Sequence, residues 1–204
     1  MNQIIKNTII LFVITLVAGI CLGTVHDITL DPIAQAQEAA ATKTYQEVYP
    51  DAASFDEPQE LADAVTAAAD SISEWGFGKV TINDAKEALD ASGNQIGYLI
   101  TSTSAESYGG NVQIAVGITN EGELTGIGFL SISDTPGLGM RAKEPEFKSN
   151  FKNKKADKFE VVKDGSGKND DSKVDAISGA TITSKAVTNA TDAAIYFVAN
   201  CLAQ

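Results

Sequence analysis

The run NTIILFVITLVAGICLGTV, Asn7 to Val25, carries no charged side chain, and no other stretch limits the fold as strongly. At about 1.5 Å rise per residue a helix of this length just covers the roughly 30 Å hydrocarbon core of a bilayer. The chain is therefore expected to begin with a single membrane-spanning helix. Lys6 precedes the run, while Asp27 and Asp31 lie beyond it. The positive-inside bias then puts the remainder of the chain on the extracytoplasmic side. A cleaved leader is the rival reading, with Ala34-Gln35-Ala36 as the small-x-small site. That site lies well past the apolar run and beyond two acids, so a retained anchor is expected. Cys21 comes after the bulky Ile20 where lipid attachment needs a small residue, so lipidation is not expected.

Beyond the span the composition is that of a folded domain. The chain has 204 residues, 44% hydrophobic and 21% charged, enough for one sizeable core. A formal net charge of -12 argues against a nucleic-acid partner, whose phosphates demand Lys and Arg. Cys21 sits in the apolar run and Cys201 near the far end, so both read as free thiols. With His26 as the single histidine, no metal-ligand spacing is recognisable.

Periodicity sets the expected order of elements. Asp31 and Pro32 open an Ala-, Gln- and Glu-rich stretch that favours helix, with Pro in its first turn. A second helix is predicted from Leu61, Val65, Ala68 and Ile72, ending near Gly76 to Gly78. Beyond Lys79 the period becomes two. Ile96, Tyr98 and Ile100 alternate, as do Val112, Ile114, Val116 and Ile118, with glycine turns at ASGNQ and TNEGEL between antiparallel neighbours. The alternation slips at Phe129 and Leu130, which predicts a bulge. NDAKEALDA reads as helix by propensity and as strand by position. FKNKKADKFEVVKDGSGKNDDSK reads as a solvated loop. Val187, Ala190, Ala194, Phe197 and Cys201 mark one face of a closing helix. The expected fold is α+β: residues 1–28 an anchor, 29–78 a helical linker and αβ preface, 79–204 a domain with an antiparallel sheet and flanking helices.

Three stretches are unusual chemically. SGATITS, Ser178 to Ser184, crowds small and hydroxylated residues at the mouth of the closing helix. Free amides and the positive end of a helix dipole favour a phosphate there, and Gly179 and Ala180 permit close approach. The Walker order is absent, because Lys185 comes after Ser184 instead of before it. Thr183 and Ser184 are capping candidates first. DTPGLG, Asp134 to Gly139, joins a fixed proline to two permissive glycines and can lie flat on a planar ligand or simply turn. In SYGGNVQ, two glycines precede a strand, and Tyr108 can stack or merely pack.

Asp175, Ser178, Gly179, Ala180 and Thr181 resemble the flavinylation motif of FMN-binding domains, and DTPGLG resembles the ETPGLG element of the same family, with Asp134 in place of Glu. Together with YGG and the N-terminal anchor, these elements are similar, in order, to the G subunits of Rnf electron-transport complexes. The resemblance covers nearly the whole chain. It implies an FMN-binding domain in which a flavin transferase esterifies Thr181 with the phosphate of FMN. Ser178, Gly179 and Ala180 would then surround the phosphate. Thr135, Gly137, Leu138 and Gly139, with Tyr108 and Gly109, would border the ring. Asp175 would be read by the transferase or serve as a structural acid. It further implies a redox subunit, with no catalytic residue of its own, that relays electrons among membrane and peripheral partners of an ion-translocating ferredoxin/NAD oxidoreductase. Two other readings stand beside it: the C subunit of a sodium-translocating NADH:quinone reductase, and a non-redox membrane-tethered assembly module whose motif is only a capped turn.

Overall fold

The computed structural model describes residues 2–202. It opens with α1, Gln3–Val48. Among the described residues this is the one helix long and apolar enough to cross a membrane, with a stretch of mean hydropathy 2.6. Its 46 residues extend about 69 Å, more than twice the thickness of a hydrocarbon core. The expected restart at Pro32 does not occur, and α1 runs through it. A proline removes one amide donor and displaces one carbonyl, and the Ala-, Gln- and Glu-rich sequence after it is strong enough in helix propensity to continue.

The chain forms two compact units, one ending at Thr42 and one beginning at Lys43. In the second, β1 (Ser54–Asp56), β2 (Val80–Leu89), β3 (Gln95–Ser107), β4 (Gly110–Thr119) and β5 (Leu124–Ile132) form an antiparallel sheet in sequence order. NDAKEALDA is thus strand: the ladder to β3 outweighs its helix propensity. Gly93 and Gly122 take φ of 80° and 79° in the two predicted turns. The predicted bulge is present. Gln113 pairs with Ser131 and Ile114 with Phe129, leaving Leu130 as the extra residue.

Val112, Ile114, Val116 and Ile118 are all buried in the main core with α2 (Gln59–Ala69) and α4 (Thr181–Phe197). Ala186, Ala190, Ala193 and Ala194 have no side-chain bulk to hold α4 off the sheet, and Ser102 Oγ on β3 donates to the Ala190 carbonyl at 2.9 Å. Cys201, expected on the helix face, lies on the π-helical turn after α4. The opposite sheet face receives the end of α1. Thr125 Oγ1 donates to the Val48 carbonyl at 2.6 Å, and Tyr49 Oη donates to the Ile96 carbonyl at 2.7 Å. Glycines make this approach possible: a Cβ at Gly128 would overlap the side chains of Thr44 and Val48. Gly128→Val is therefore expected to destabilise the folded unit by about 1–3 kcal/mol, read as a lowered thermal midpoint of the full chain in detergent.

Most of the Lys- and Asp-rich tail is turn and exposed loop, with two exceptions. It follows α3 (Pro145–Lys148) and contains β6 (Glu160–Val162), which pairs in parallel with β7 (Lys173–Asp175) at its end. Lys154 is buried, and its Nζ donates to the carbonyls of Gly167 and Asp170 at 2.7 and 3.0 Å, and of Lys173 at 3.4 Å. An ammonium is buried only when its donors are met, and here backbone carbonyls meet them. Composition does not report the position of carbonyls.

Candidate functional site

The turn before α4 is built by its own hydroxyls. Ala180 flanks the helix with φ of -132° and offers no side-chain cap, so Gly179, at φ 78°, reverses the chain. Ser184, fully buried, closes the turn. Its Oγ accepts the Ile177 amide and donates to the Ala180 carbonyl, both at 3.0 Å. Thr183, also buried, donates from Oγ1 to Asp134 Oδ2 at 2.7 Å. Neither hydroxyl caps the helix in the ordinary way. Thr181 is the first residue of α4 and half-buried, and its hydroxyl has no hydrogen-bond partner among the described residues. First-turn amides lack helical acceptors, and no acidic residue occupies the first turn of α4. The Thr181 hydroxyl and the positive end of a helix thus remain available together.

Asp134 joins this turn to the other two stretches. Its carboxylate also accepts Ser107 Oγ at 2.8 Å and the Thr135 amide at 2.6 Å. Partial burial pushes its carboxyl up, but the bonds from Thr183, Thr135, Ser107 and Gly109 outweigh this and hold it below the usual carboxylate range. Glycine is required on both sides. A Cβ at Gly139 would run into the Asp134 carboxylate, and one at Gly109 into the backbone of Ser133 and Asp134. The DTPGLG loop also approaches the helix-entry turn, since a Cβ on Gly179 would lie 3.1 Å from Leu138 Cδ2. The loop itself is a tight turn in which the Leu138 amide donates to the Thr135 carbonyl at 3.1 Å. Gly137, at φ 75°, has open space around it. Tyr108, Leu138 and Ile182 project outward, 72%, 43% and 55% exposed.

Thus Ser107, Gly109, Thr135 and Thr183 meet at one carboxylate, and Leu138 of the same loop lies against Gly179 of the helix-entry turn. Asp175 does not join them. It lies on β7, where its Oδ1 accepts the Gly167 amide at 3.0 Å and its own amide donates to Asn150 Oδ1 at 3.0 Å. Asp175 and Ser178 instead line a cleft of about 600 Å³ with Arg141, Phe147, Asn150 and Lys168. Neither Tyr108 nor Leu138 contributes to its walls. Arg141 there is matched by Glu144 at 3.3 Å and Glu146 at 3.8 Å. The Thr181 hydroxyl and the exposed apolar side chains of Tyr108 and Leu138 lie outside the walls of this cleft.

Comparison with known proteins bears on this cluster directly. The FMN-binding domain family matches residues 107–196, and the RnfG N-terminal region matches residues 1–48. The chain is 32% identical over 203 residues to the G subunit of the Na(+)-translocating ferredoxin:NAD(+) oxidoreductase complex of Acetobacterium woodii, covering 97% of this chain and 92% of that one. The chain belongs to this family of G subunits. A second member of the family, the G subunit of the proton-translocating ferredoxin:NAD(+) oxidoreductase complex of Clostridium ljungdahlii, is 30% identical over 95% of this chain and 91% of its own length. The crystal structure of Shewanella oneidensis NqrC aligns with 74% of this chain and 67% of that one at 21% identity and a TM-score of 0.46, too distant to bear on the assignment.

The stretch matched to the FMN-binding domain begins at Ser107 and includes Asp134, Thr181 and Thr183. Ser107, Asp134 as a junction, and Ile182 are the residues of this candidate site that sequence reasoning missed. Ile182 carried a signal: it is an apolar residue out of phase with the buried face of α4. The bond between Ser107 and Asp134 carried none, because it joins residues 27 positions apart.

Proposed function

We propose that this member of the G-subunit family is a membrane-anchored flavoprotein that relays electrons through FMN esterified to Thr181 within an ion-translocating oxidoreductase complex. The observation that carries the reading is the division among the hydroxyls at the entrance of α4. Thr183 and Ser184 are committed to Asp134 and to the turn itself, and Thr181 alone of the three is uncommitted. The residues present suit FMN. A helix entrance with no acid in its own first turn takes the phosphate, Gly179 and Ala180 leave it room, and exposed apolar side chains suit a planar ring.

The flavin, when bound, supplies the redox chemistry. The chain's own residues place it. Thr181 Oγ1 holds the phosphoester, with Ser178 beside it. Tyr108 and Leu138 border the ring, with Gly109, Thr135, Gly137 and Gly139 shaping the backbone around it and Ile182 at the helix entrance. No residue is assigned a proton to move, because electron transfer alone requires none, and the chain is not catalytic by itself. Asp175 serves recognition by the flavin transferase. The partners are membrane and peripheral subunits of the complex, in keeping with the names of the relatives. The domain faces away from the cytoplasm, supported by Lys6 before the apolar run and Asp27 and Asp31 after it.

The test is the intact mass of the chain from its native membrane. The expected value exceeds the sequence mass by one FMN less one water, and the sequence mass alone would contradict the reading. Protease added outside intact cells is expected to cleave the domain; cleavage only after lysis would reverse the orientation.

A further inference from the structure

We propose that Asp134 is the positioning residue that sets where the flavin ring lies relative to Thr181, by tying three elements to one carboxylate. The proposal rests on the flavin reading above. The tie joins the end of β3 through Ser107, the DTPGLG loop through the Thr135 amide, and the first turn of α4 through Thr183. Each tied position has an exposed apolar side chain close by in the chain. Tyr108 comes directly after Ser107, Leu138 lies in the loop that Thr135 opens, and Ile182 precedes Thr183. From Lys43 onward, only Tyr196 joins these three as a large exposed hydrophobic among the described residues. Hydrophobic side chains held out of the core around one junction suit an apolar, planar occupant, and the ester at Thr181 keeps that occupant within reach.

The tie is built into the backbone and is more than an incidental loop contact. Gly109 and Gly139 both give way to Asp134, and a side chain at either would collide with it. Local bonds hold the attachment turn without it, because Ser184 closes that turn on Ile177 and Ala180. Removing the carboxylate therefore leaves the place of attachment intact while releasing the ring-bordering loop from the helix that carries the ester.

The test uses the full-length chain in detergent after co-expression with a flavin transferase. Four quantities are read: covalent flavin by in-gel fluorescence, visible circular dichroism of the flavin, iodide quenching of its fluorescence, and the thermal midpoint. Asp134→Ala is expected to retain covalent flavin, to lose the visible dichroism, and to shift iodide quenching toward that of free FMN. Asp134→Asn is expected to restore both signals, because the hydroxyls of Ser107 and Thr183 can rotate to accept from the amide where they donated to the carboxylate. Ser107→Ala removes one strut and is expected to move both signals in the same direction by less; it decides the matter should Asp134→Ala fail to fold. Unchanged dichroism and quenching in the folded Asp134→Ala and Ser107→Ala variants overturn the proposal. So does Asp134→Asn behaving like Asp134→Ala, since charge and not the tie would then matter. Loss of covalent flavin in folded Asp134→Ala likewise overturns it, by placing Asp134 in attachment. A wild-type chain without covalent flavin overturns the flavin reading itself, and this proposal with it.

Discussion

Thr181→Ala is expected to abolish covalent flavin while leaving the thermal midpoint close to that of the wild type. Thr181 is half-buried and its hydroxyl bonds to no described residue, so its loss breaks nothing in the fold. Alanine also suits the first turn of a helix. Thr183→Ala reverses the pattern. The flavin is expected to stay, because the proposed ester oxygen is on Thr181, but a fully buried side chain and its bond to Asp134 are lost, at a cost on the order of 1–3 kcal/mol. In-gel flavin fluorescence beside thermal melts of the two variants separates these outcomes. Fluorescence that survives in Thr181→Ala and vanishes in Thr183→Ala would move the ester to Thr183.

The second large effect concerns pH. Asp192 lies on α4 at 1% exposure; its Oδ1 accepts the Phe159 amide at 2.9 Å, and its Oδ2 is buried with no hydrogen-bond partner among the described residues. Burial pushes its carboxyl up to about 7, against the opposing pulls of the Phe159 amide and the charge of Lys158. The folded state thus holds a proton that the unfolded state releases near 3.8. Below that value both states are protonated and the burial carries no ionisation penalty. As pH rises toward about 7, the unfolded state ionises first and stability falls by about 1.4 kcal/mol per pH unit. Above the folded value the loss levels off, at most on the order of 4 kcal/mol. Asp192→Asn cannot ionise, so its stability relative to wild type is expected to climb with pH across this window and then stop climbing. Thermal midpoints of both proteins in a pH series test this. Parallel curves would mean that Asp192 ionises in the folded state as it does in water.

Several features come from the order of residues alone. The uncharged run from Asn7 to Val25 dictates a helix, because only a helix satisfies its backbone without water. The alternation from Val112 to Ile118 dictates a half-buried strand, and the slip at Phe129 and Leu130 appears as the bulge. The flavinylation-like motif is legible for the same reason: Asp175 to Thr181 is a continuous stretch whose small residues and helix entrance act locally. Tertiary structure decided what depends on distant partners. NDAKEALDA became a strand through its ladder with β3. Lys154 left the solvated surface that its neighbours' charges suggested, because carbonyls of residues 167, 170 and 173 converge on it. Asp134 in the sequence is only the first residue of a glycine-rich turn. Folding brings Ser107 and Thr183 to its carboxylate from positions 27 and 49 residues away. A hydrogen bond acts over about 3 Å of space and is indifferent to separation along the chain, so which of the site's hydroxyls are committed, and that Thr181 is left free, is settled only by the packing of α4 against β3 and the loop.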